Sequence, residues 1–342
     1  MTRRNPDTLM EEALSAAREI FGARAKAQES LARHCTFRVG GPADVWITVT
    51  TEDELSRLMS LAAQREIPLL LIGNGTNTLF ADAGARGVVA HVGIEHFQLR
   101  QLDEERAELR VGAGVSMPEL VKKLTPLGWA GLEWSVGVPG TVGGAVVSNA
   151  GAQGGCVADT LIAVRTLLAP DAEGGLADRV IARELPATEL RLGYRQSRFR
   201  AHREVTFADD GRIRAQEPAL IEPGEVIVEA VFNLRHDDPA QIAQRSAAYL
   251  EHRRQTQPPS RNGGSVFKNP EPQKSGKLIE DAGLKPYRIG GAEISAKHAN
   301  FIVTQDGAQA ADVAALIALA RRTVRERFGV DLELEVEPRG DW

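Results

Sequence analysis

Cysteine is nearly missing from this chain: Cys35 and Cys156 are the only two in 342 residues. Two are too few for a disulfide scaffold, and their separation offers no metal-ligand spacing. A reducing cytoplasm is the simplest setting. Positive charge is also short. The formal net charge is -5, whereas a nucleic-acid binder needs clustered cations to displace counterions. No apolar run approaches the roughly 20 residues that cross a bilayer, and no apolar segment follows Arg3 and Arg4 as an export signal requires. No unit repeats at a fixed period, which excludes solenoids and propellers. What is present, 43% hydrophobic and 25% charged residues, is the composition of a soluble globular protein. At 342 residues the chain exceeds what one core usually serves, so two or three domains are expected.

Residues 9–31 mix Leu, Ala and charge at near-helical spacing, predicting one or two peripheral amphipathic helices. Residues 43–49 read as a strand. Thr51 and Glu54 have capping-box spacing ahead of Leu55, Leu58, Met59 and Ala62, predicting a helix over 52–66. Residues 68–72 are wholly apolar, as expected for a strand buried on both faces. Strands follow at 87–92 and 107–112, then a helix entered at Ser116, with Glu119 completing a second capping box. Segments 160–168 and 226–234 alternate as sheet. The last third changes character. It holds a helix over 239–254 with Ile242, Ala243, Ala247 and Leu250 facing inward, a short helix over 277–282, a long one over 312–328 and an alternating strand over 330–336. This pattern predicts a separate C-terminal α+β domain beginning near His236.

Glycine marks the chemistry. Gly73-Asn74-Gly75-Thr76-Asn77-Thr78 follows the apolar strand, and a second rich stretch carries Gly137, Gly140, Thr141, Gly143, Gly144, Asn149 and Gly151. Successive N–H groups in such a turn form a concave anion site, to which Thr and Asn side chains add donors. A long glycine-rich loop is costly in entropy unless something occupies it. The first loop lacks the third glycine of a Rossmann fingerprint, and no Gly-Lys-Ser/Thr supplies a Walker loop. Each loop alone is equally well a plain turn; together they suit a diphosphate such as that of FAD. A third cluster is Gly263-Gly264-Ser265-Val266-Phe267-Lys268-Asn269-Pro270, where a hydroxyl on a glycine hinge is followed by an ammonium and an amide. It is shaped to handle an anion and move one proton, although an ordinary Gly-Ser turn before a short strand fits the same residues.

These segments, with 36–43, Tyr194-Arg195-Gln196-Ser197-Arg198-Phe199, 297–301 and Leu334-Glu335-Val336, occur in the order seen in the UDP-N-acetylenolpyruvoylglucosamine reductase family. The chain resembles that family from about residue 31 to about residue 336, in the shorter of its two forms. The resemblance implies a cytoplasmic flavoenzyme of bacterial peptidoglycan synthesis with an α+β fold. An FAD-binding domain of the vanillyl-alcohol-oxidase (PCMH) type is expected over 31–235, in two subdomains divided near 95, followed by a C-terminal α+β substrate-binding domain over 236–342. Residues 1–30 then form a helical extension, and 201–224 an insertion in which Asp209-Asp210-Gly211 reads as a hairpin turn, expected to cover or flank the active-site mouth.

Under the same resemblance, FAD is held without a covalent bond by Gly73, Asn74, Gly75, Thr76, Asn77, Thr78, Gly137, Gly140, Thr141, Gly143, Gly144, Asn149 and Gly151, leaving Cys156 free. NADPH is the co-substrate, and no metal is expected. Hydride passes through the flavin to C3 of UDP-N-acetylglucosamine enolpyruvate, giving UDP-N-acetylmuramate, and the charge left at C2 is what the site must stabilise. Arg195 faces that charge and Ser265 delivers the proton to C2. Glu335 polarises the same centre as a protonated acid or orients a water; Glu333 and Glu337 share its alternation, so the Leu-Glu-Val match alone selects it. Tyr194, Lys268 and Asn269 are the implied substrate contacts. A surface ion pair for Arg195, a solvated Lys268 and a core-edge Tyr194 are the plain alternatives. His298 reads as structural. Asn262 replaces the small residue usual before the glycine pair, which leaves the geometry of that loop open. A monomer is expected. Two rivals keep the fold: an FAD-dependent sugar or alcohol oxidase, and a catalytically silent nucleotide-binding module. Arg195, Ser265 and Glu335 discriminate against both.

Overall fold

The structure is a computed structural model and describes residues 5–170, 179–200, 205–208, 213–215 and 219–342. Asn5 caps the helix Pro6–Phe21 by accepting the Asp7 N–H at 3.0 Å. Ala13, Ala16, Ala17 and Phe21 form the buried stripe of this helix, which packs on the strands Pro42–Val49 and Ala85–Val92. The helix thus belongs to the core and is not peripheral. The second half of the segment, expected as helix, is the strand Lys26–Ser30, antiparallel to Pro42–Val49 with Lys26 opposite Trp46. An edge strand with no fully buried side chain carries no strong period of its own.

That strand begins a five-stranded sheet, continued by Pro42–Val49, Ala85–Val92, Leu69–Ile72 and Ile221–Glu222, all parallel after the first pairing. Successive residues of its central strands enter different cores. Val45, Ile47, Val88 and Ala90 face one; Trp46 and Val89 face the other. This two-sided burial is why 68–72 reads as an unbroken apolar run. Between strands, Thr51 caps the helix Glu52–Arg65 by accepting the Glu54 N–H at 3.2 Å. Only half of the expected box forms, because the Glu54 carboxylate turns to Thr50 and Arg24.

A second, antiparallel sheet runs in the order Ile181–Pro186, Leu161–Leu168, Glu225–His236, Arg106–Gly112 and Phe97–Gln101, with Trp129–Ala130 also pairing to Glu225–His236. Its edge strand Phe97–Gln101 is hidden in the sequence by exposed polar residues. The helix Met117–Leu124 follows Ser116, whose side chain makes no cap bond, so the second capping box is absent. Within the glycine-rich stretch a six-residue helix, Val142–Val147, replaces the expected loop. Thr141 caps it, and Val142, Ala145 and Val146 are its buried row.

The C-terminal part opens with the helix Pro239–Thr256. Ile242 and Ser246 are its buried residues, whereas Ala243 and Ala247, expected inward, are exposed. The helix leans on the turns Thr125–Leu127 and Glu133–Ser135 through one narrow row. A three-stranded antiparallel sheet of Tyr287–Ile289, Ala292–Ile294 and Ile302–Thr304 follows, packed with the helices Ser275–Asp281 and Ala310–Phe328. Residues 330–336 form no continuous strand. Leu334 makes a single bridge to Phe267, and the ladder comes later, where Glu337–Arg339 runs parallel to Thr78–Phe80. One core fills the space around the N-terminal helix and between the two large sheets; the other joins the opposite face of the first sheet to Phe267, Ile279, Val313 and Ile317. Asp82 ties this seam by accepting the Ala310 and Ala311 N–H groups at 2.8 and 2.9 Å.

Candidate active site

The parallel strand Leu69–Ile72 ends at the first glycine loop, and the short helix Val142–Val147 begins at the second. The two loops touch. A Cβ on Gly73 would lie 2.7 Å from Thr141 Oγ1, and one on Gly140 would lie 3.4 Å from Thr76 Oγ1. Gly75 has φ +59°, and a Cβ there would meet the His34 carbonyl at 2.1 Å, so only glycine fits. Together the loops wall a cavity of about 330 Å³ that also takes in Arg195, Ser265 and Glu335. Arg253 and Gln257 enter it from the helix Pro239–Thr256 and its end. Gln257 Oε1 is buried without a hydrogen-bond partner among the described residues. Burial pushes the Arg253 guanidinium below its ordinary pKa, and no carboxylate among the described residues offsets this. Two apposed glycine turns and a cation with no carboxylate partner among the described residues fit the diphosphate of a bound cofactor, and the amide oxygen of Gln257, an acceptor, fits a donor elsewhere on it.

Arg195 adopts φ 54°, a left-handed backbone unusual for a residue with a side chain. Its Nε donates to Glu335 Oε1 at 2.5 Å and its Nη2 to the Gly151 carbonyl at 3.2 Å. The Glu335 N–H donates to the Val266 carbonyl at 2.8 Å, which sets the Glu335 backbone beside the segment that carries Ser265. That pairing of 335 with 266 is a backbone matter, independent of either side chain. Burial pushes the Glu335 carboxyl above its ordinary range, against the pull of Arg195, Arg200 and Lys268.

Of the three acidic residues in this segment, the side chains of Glu333, Glu335 and Glu337 are 67%, 13% and 24% exposed, so Glu335 is the deepest. Glu333 pairs with Lys268 outside the cavity, and Glu337 turns to Arg200 and Arg339. Ser265 is half-buried on the cavity wall. Its turn is built by Asn262, whose Oδ1 accepts the Gly264 N–H at 2.9 Å, and Gly264 takes φ +80°. That bond supplies the loop geometry the sequence left open.

Several expected site residues do not reach this cavity. Gly137 lies behind Arg253, whose Cδ would be 2.7 Å from a Cβ there. The Asn149 amide is used internally, donating to the Gly193 carbonyl at 2.9 Å and accepting the Ala158 N–H at 3.0 Å. Tyr194 is 53% exposed and packs its ring against the Arg195 guanidinium. Lys268 lines a smaller cavity of about 170 Å³ beside Arg200, Arg321 and Arg339. Asn269 accepts the Ser275 N–H at 3.1 Å, at the start of the helix Ser275–Asp281. His298 accepts the Asn300 N–H and packs on Phe301, and burial pushes its pKa down. Cys156 donates its thiol to Asp159 at 3.4 Å and, like Cys35, is free.

In the 201–224 segment, Val205–Phe207 pairs antiparallel with Ile213–Ala215; the Asp209-Asp210-Gly211 turn lies outside the described residues. Val205, Phe207 and Ile213 pack on the C-terminal core, with the Arg321 guanidinium 5.0 Å over the Phe207 ring. Val205 reaches the smaller cavity, and Pro223, at the end of the segment, lines the larger one. Among the described residues no group of His, Cys, Asp or Glu is placed to hold a metal, and no helix is long and apolar enough to cross a membrane. Sequence reasoning missed Arg200, Arg253 and Gln257: Arg253 lies on a helix read only for its apolar face, and neither Arg200 nor Gln257 is marked by glycine.

Comparison with known proteins gives a consistent outcome. The family described as UDP-N-acetylenolpyruvoylglucosamine reductase, C-terminal domain, matches residues 254–338, and the FAD binding domain family matches residues 43–173. The UDP-N-acetylenolpyruvoylglucosamine reductase of Chloroflexus aggregans is 42% identical over 308 residues, covering 90% of this chain and 95% of that one. The protein of the same name from Bacillus subtilis is 36% identical over 331 residues, covering 96% and 98%. A crystal structure of the reductase from Thermus caldophilus superposes with a TM-score of 0.70 at 32% identity, covering 92% of this chain and 98% of that one.

Proposed function

From a chain that belongs to the UDP-N-acetylenolpyruvoylglucosamine reductase family, we infer an FAD-dependent reductase of the enolpyruvyl ether of a UDP-sugar, acting in peptidoglycan precursor synthesis. The substrate is UDP-N-acetylglucosamine enolpyruvate, the reductant NADPH and the product UDP-N-acetylmuramate. The chemistry FAD supplies there is relay of a hydride from NADPH to carbon C3. The two glycine loops, in a domain we assign to 31–235, would hold the cofactor, with Arg253 and Gln257 reaching it from the substrate-binding domain we assign to 236–342. The observation that supports this reading is the convergence of Arg195, Ser265 and Glu335 on the cavity walled by those loops.

In this scheme Ser265 gives its hydroxyl proton to C2, and solvent restores it. A serine hydroxyl is a weak acid in water but adequate toward a carbanion-like carbon within hydrogen-bond reach. Arg195 stabilises the negative charge that develops through the adjoining carboxylate, as a planar cation that stays protonated. Glu335, whose carboxyl burial pushes up, would polarise the same centre as a protonated acid or orient a water. Lys268 and Tyr194 would meet the substrate on its way in, the ammonium facing an anionic group, with Asn269 holding that turn in place. We also propose a cytoplasmic monomer.

The test separates the half-reactions. In Ser265→Ala, anaerobic bleaching of the flavin by NADPH should proceed as in the wild type, while recovery of colour with UDP-N-acetylglucosamine enolpyruvate should slow by about 100-fold or more. Equal loss of both half-reactions would remove Ser265 from the proton step. A wild-type protein that binds no flavin would remove the whole reading.

A further inference from the structure

Arg200 is only 7% exposed, yet it does not line the main cavity. A buried guanidinium is tolerated only when its donors are met. Two backbone carbonyls meet them here: Nη1 donates to the Arg195 carbonyl at 2.7 Å and Nη2 to the Glu335 carbonyl at 2.5 Å. The Glu337 carboxylate lies 3.5 Å from Nε and completes the set. One planar group therefore grips the main chain of two residues 140 positions apart whose side chains pair with each other.

Both grips fall where the backbone needs holding. Arg195 has the left-handed φ of 54°, a conformation that persists for such a residue only when its surroundings fix it. The Glu335 carbonyl lies in a stretch that forms no continuous strand, and its second donor is Asn77 Nδ2, at 2.8 Å, from the first glycine loop. We propose that Arg200 is a positioning residue, which sets the Arg195 guanidinium against the Glu335 carboxyl by pinning both backbones with one fork. This rests on the assignment of Arg195 and Glu335 to the reaction. Lysine cannot replace it, since a single ammonium lacks the fixed fork that spans two carbonyls.

The experiment compares Arg200→Lys and Arg200→Met with wild type as flavin-loaded enzyme. Flavin reduction by NADPH should be unchanged in both, and reoxidation by the enolpyruvyl substrate slowed by about 100-fold, the effect of a misplacement near 1 Å. The pH profile separates geometry from charge. Arg195, Arg200 and Lys268 are the cations that hold Glu335 down, with Glu337 and Arg339 close by. The alkaline limb of reoxidation should therefore move to higher pH in Arg200→Met, where a cation is lost, and stay in place in Arg200→Lys. Wild-type reoxidation in Arg200→Lys would overturn the proposal, and so would loss of both half-reactions together in that variant. Should Arg200→Met not fold, Arg200→Lys decides alone. A wild type that fails to reoxidise with this substrate would instead defeat the functional reading.

Discussion

Glu335 sits between opposing forces. Burial pushes its carboxyl up, Arg195 with Arg200 and Lys268 pulls it down, and burial prevails. A carboxyl of raised pKa stays protonated to higher pH, so reoxidation should hold at low pH and fall as pH rises through that value. Glu335→Gln should abolish this limb and slow reoxidation by about 100-fold, as read from rapid-mixing traces across pH. At this scale the sequence was legible where a motif marks a residue: Ser265 by its glycine hinge, Arg195 and Glu335 by family resemblance. Arg200 was not, because its partners are main-chain carbonyls, and nothing in a one-dimensional pattern encodes which carbonyl a side chain will reach. The same holds for Asn149, whose amide closes two loops in place of lining the cavity.

Among the elements, the helix Glu52–Arg65 shows a local signal obeyed at one residue and redirected at another. Thr51 caps it as its spacing predicts, but Glu54 reaches to Arg24, joining the helix to the segment that precedes the first strand. Hydrogen bonding to Arg24 holds the Glu54 carboxyl down at about 2. A carboxylate with a lowered pKa adds stability above its unfolded value, and that stability fades as pH falls through the folded one. Glu54→Gln should therefore cost about 1 kcal/mol near neutral pH, Arg24 being half exposed. The difference should shrink as pH falls towards about 2 and be gone below it, as measured by urea denaturation. The existence of the long helices was readable from period, and the two-sided strand Leu69–Ile72 from its unbroken apolar run. The edge strands Lys26–Ser30 and Phe97–Gln101 were not, since their stability comes from neighbours distant in sequence. The helix Val142–Val147 was masked by its own glycines.

For the molecule as a whole, the alternation of Val45, Trp46 and Ile47 between two cores makes the first sheet a shared wall. The C-terminal part packs on that wall, and the cavity draws its lining from both sides. A ligand held there binds the assembled chain and not its separated parts. Saturation with FAD at about 100 times its Kd should raise unfolding stability by about 2.7 kcal/mol, with the change shared by probes in both parts, which fluorescence and circular dichroism in denaturant can check. An unfolding transition of the C-terminal part that ignored FAD would contradict a shared wall. The α+β class was legible in the sequence through alternating periods and the change of character after residue 236. The seam was not, because Phe37 against Gly263 and Asp82 against Ala310 are pairings that only the folded chain brings together.

The parallel pairing of Thr78–Phe80 with Glu337–Arg339, together with the Asn77 to Glu335 bond across 258 positions, bears on the timing of assembly. The first glycine loop is made well before one of its braces, which follows 258 positions later. Closing so long a loop is slow and entropically unfavourable until the intervening parts have packed. Cofactor capture is thereby placed after the segment around Glu335 has been made and has packed, and flavin uptake becomes a readout of that closure.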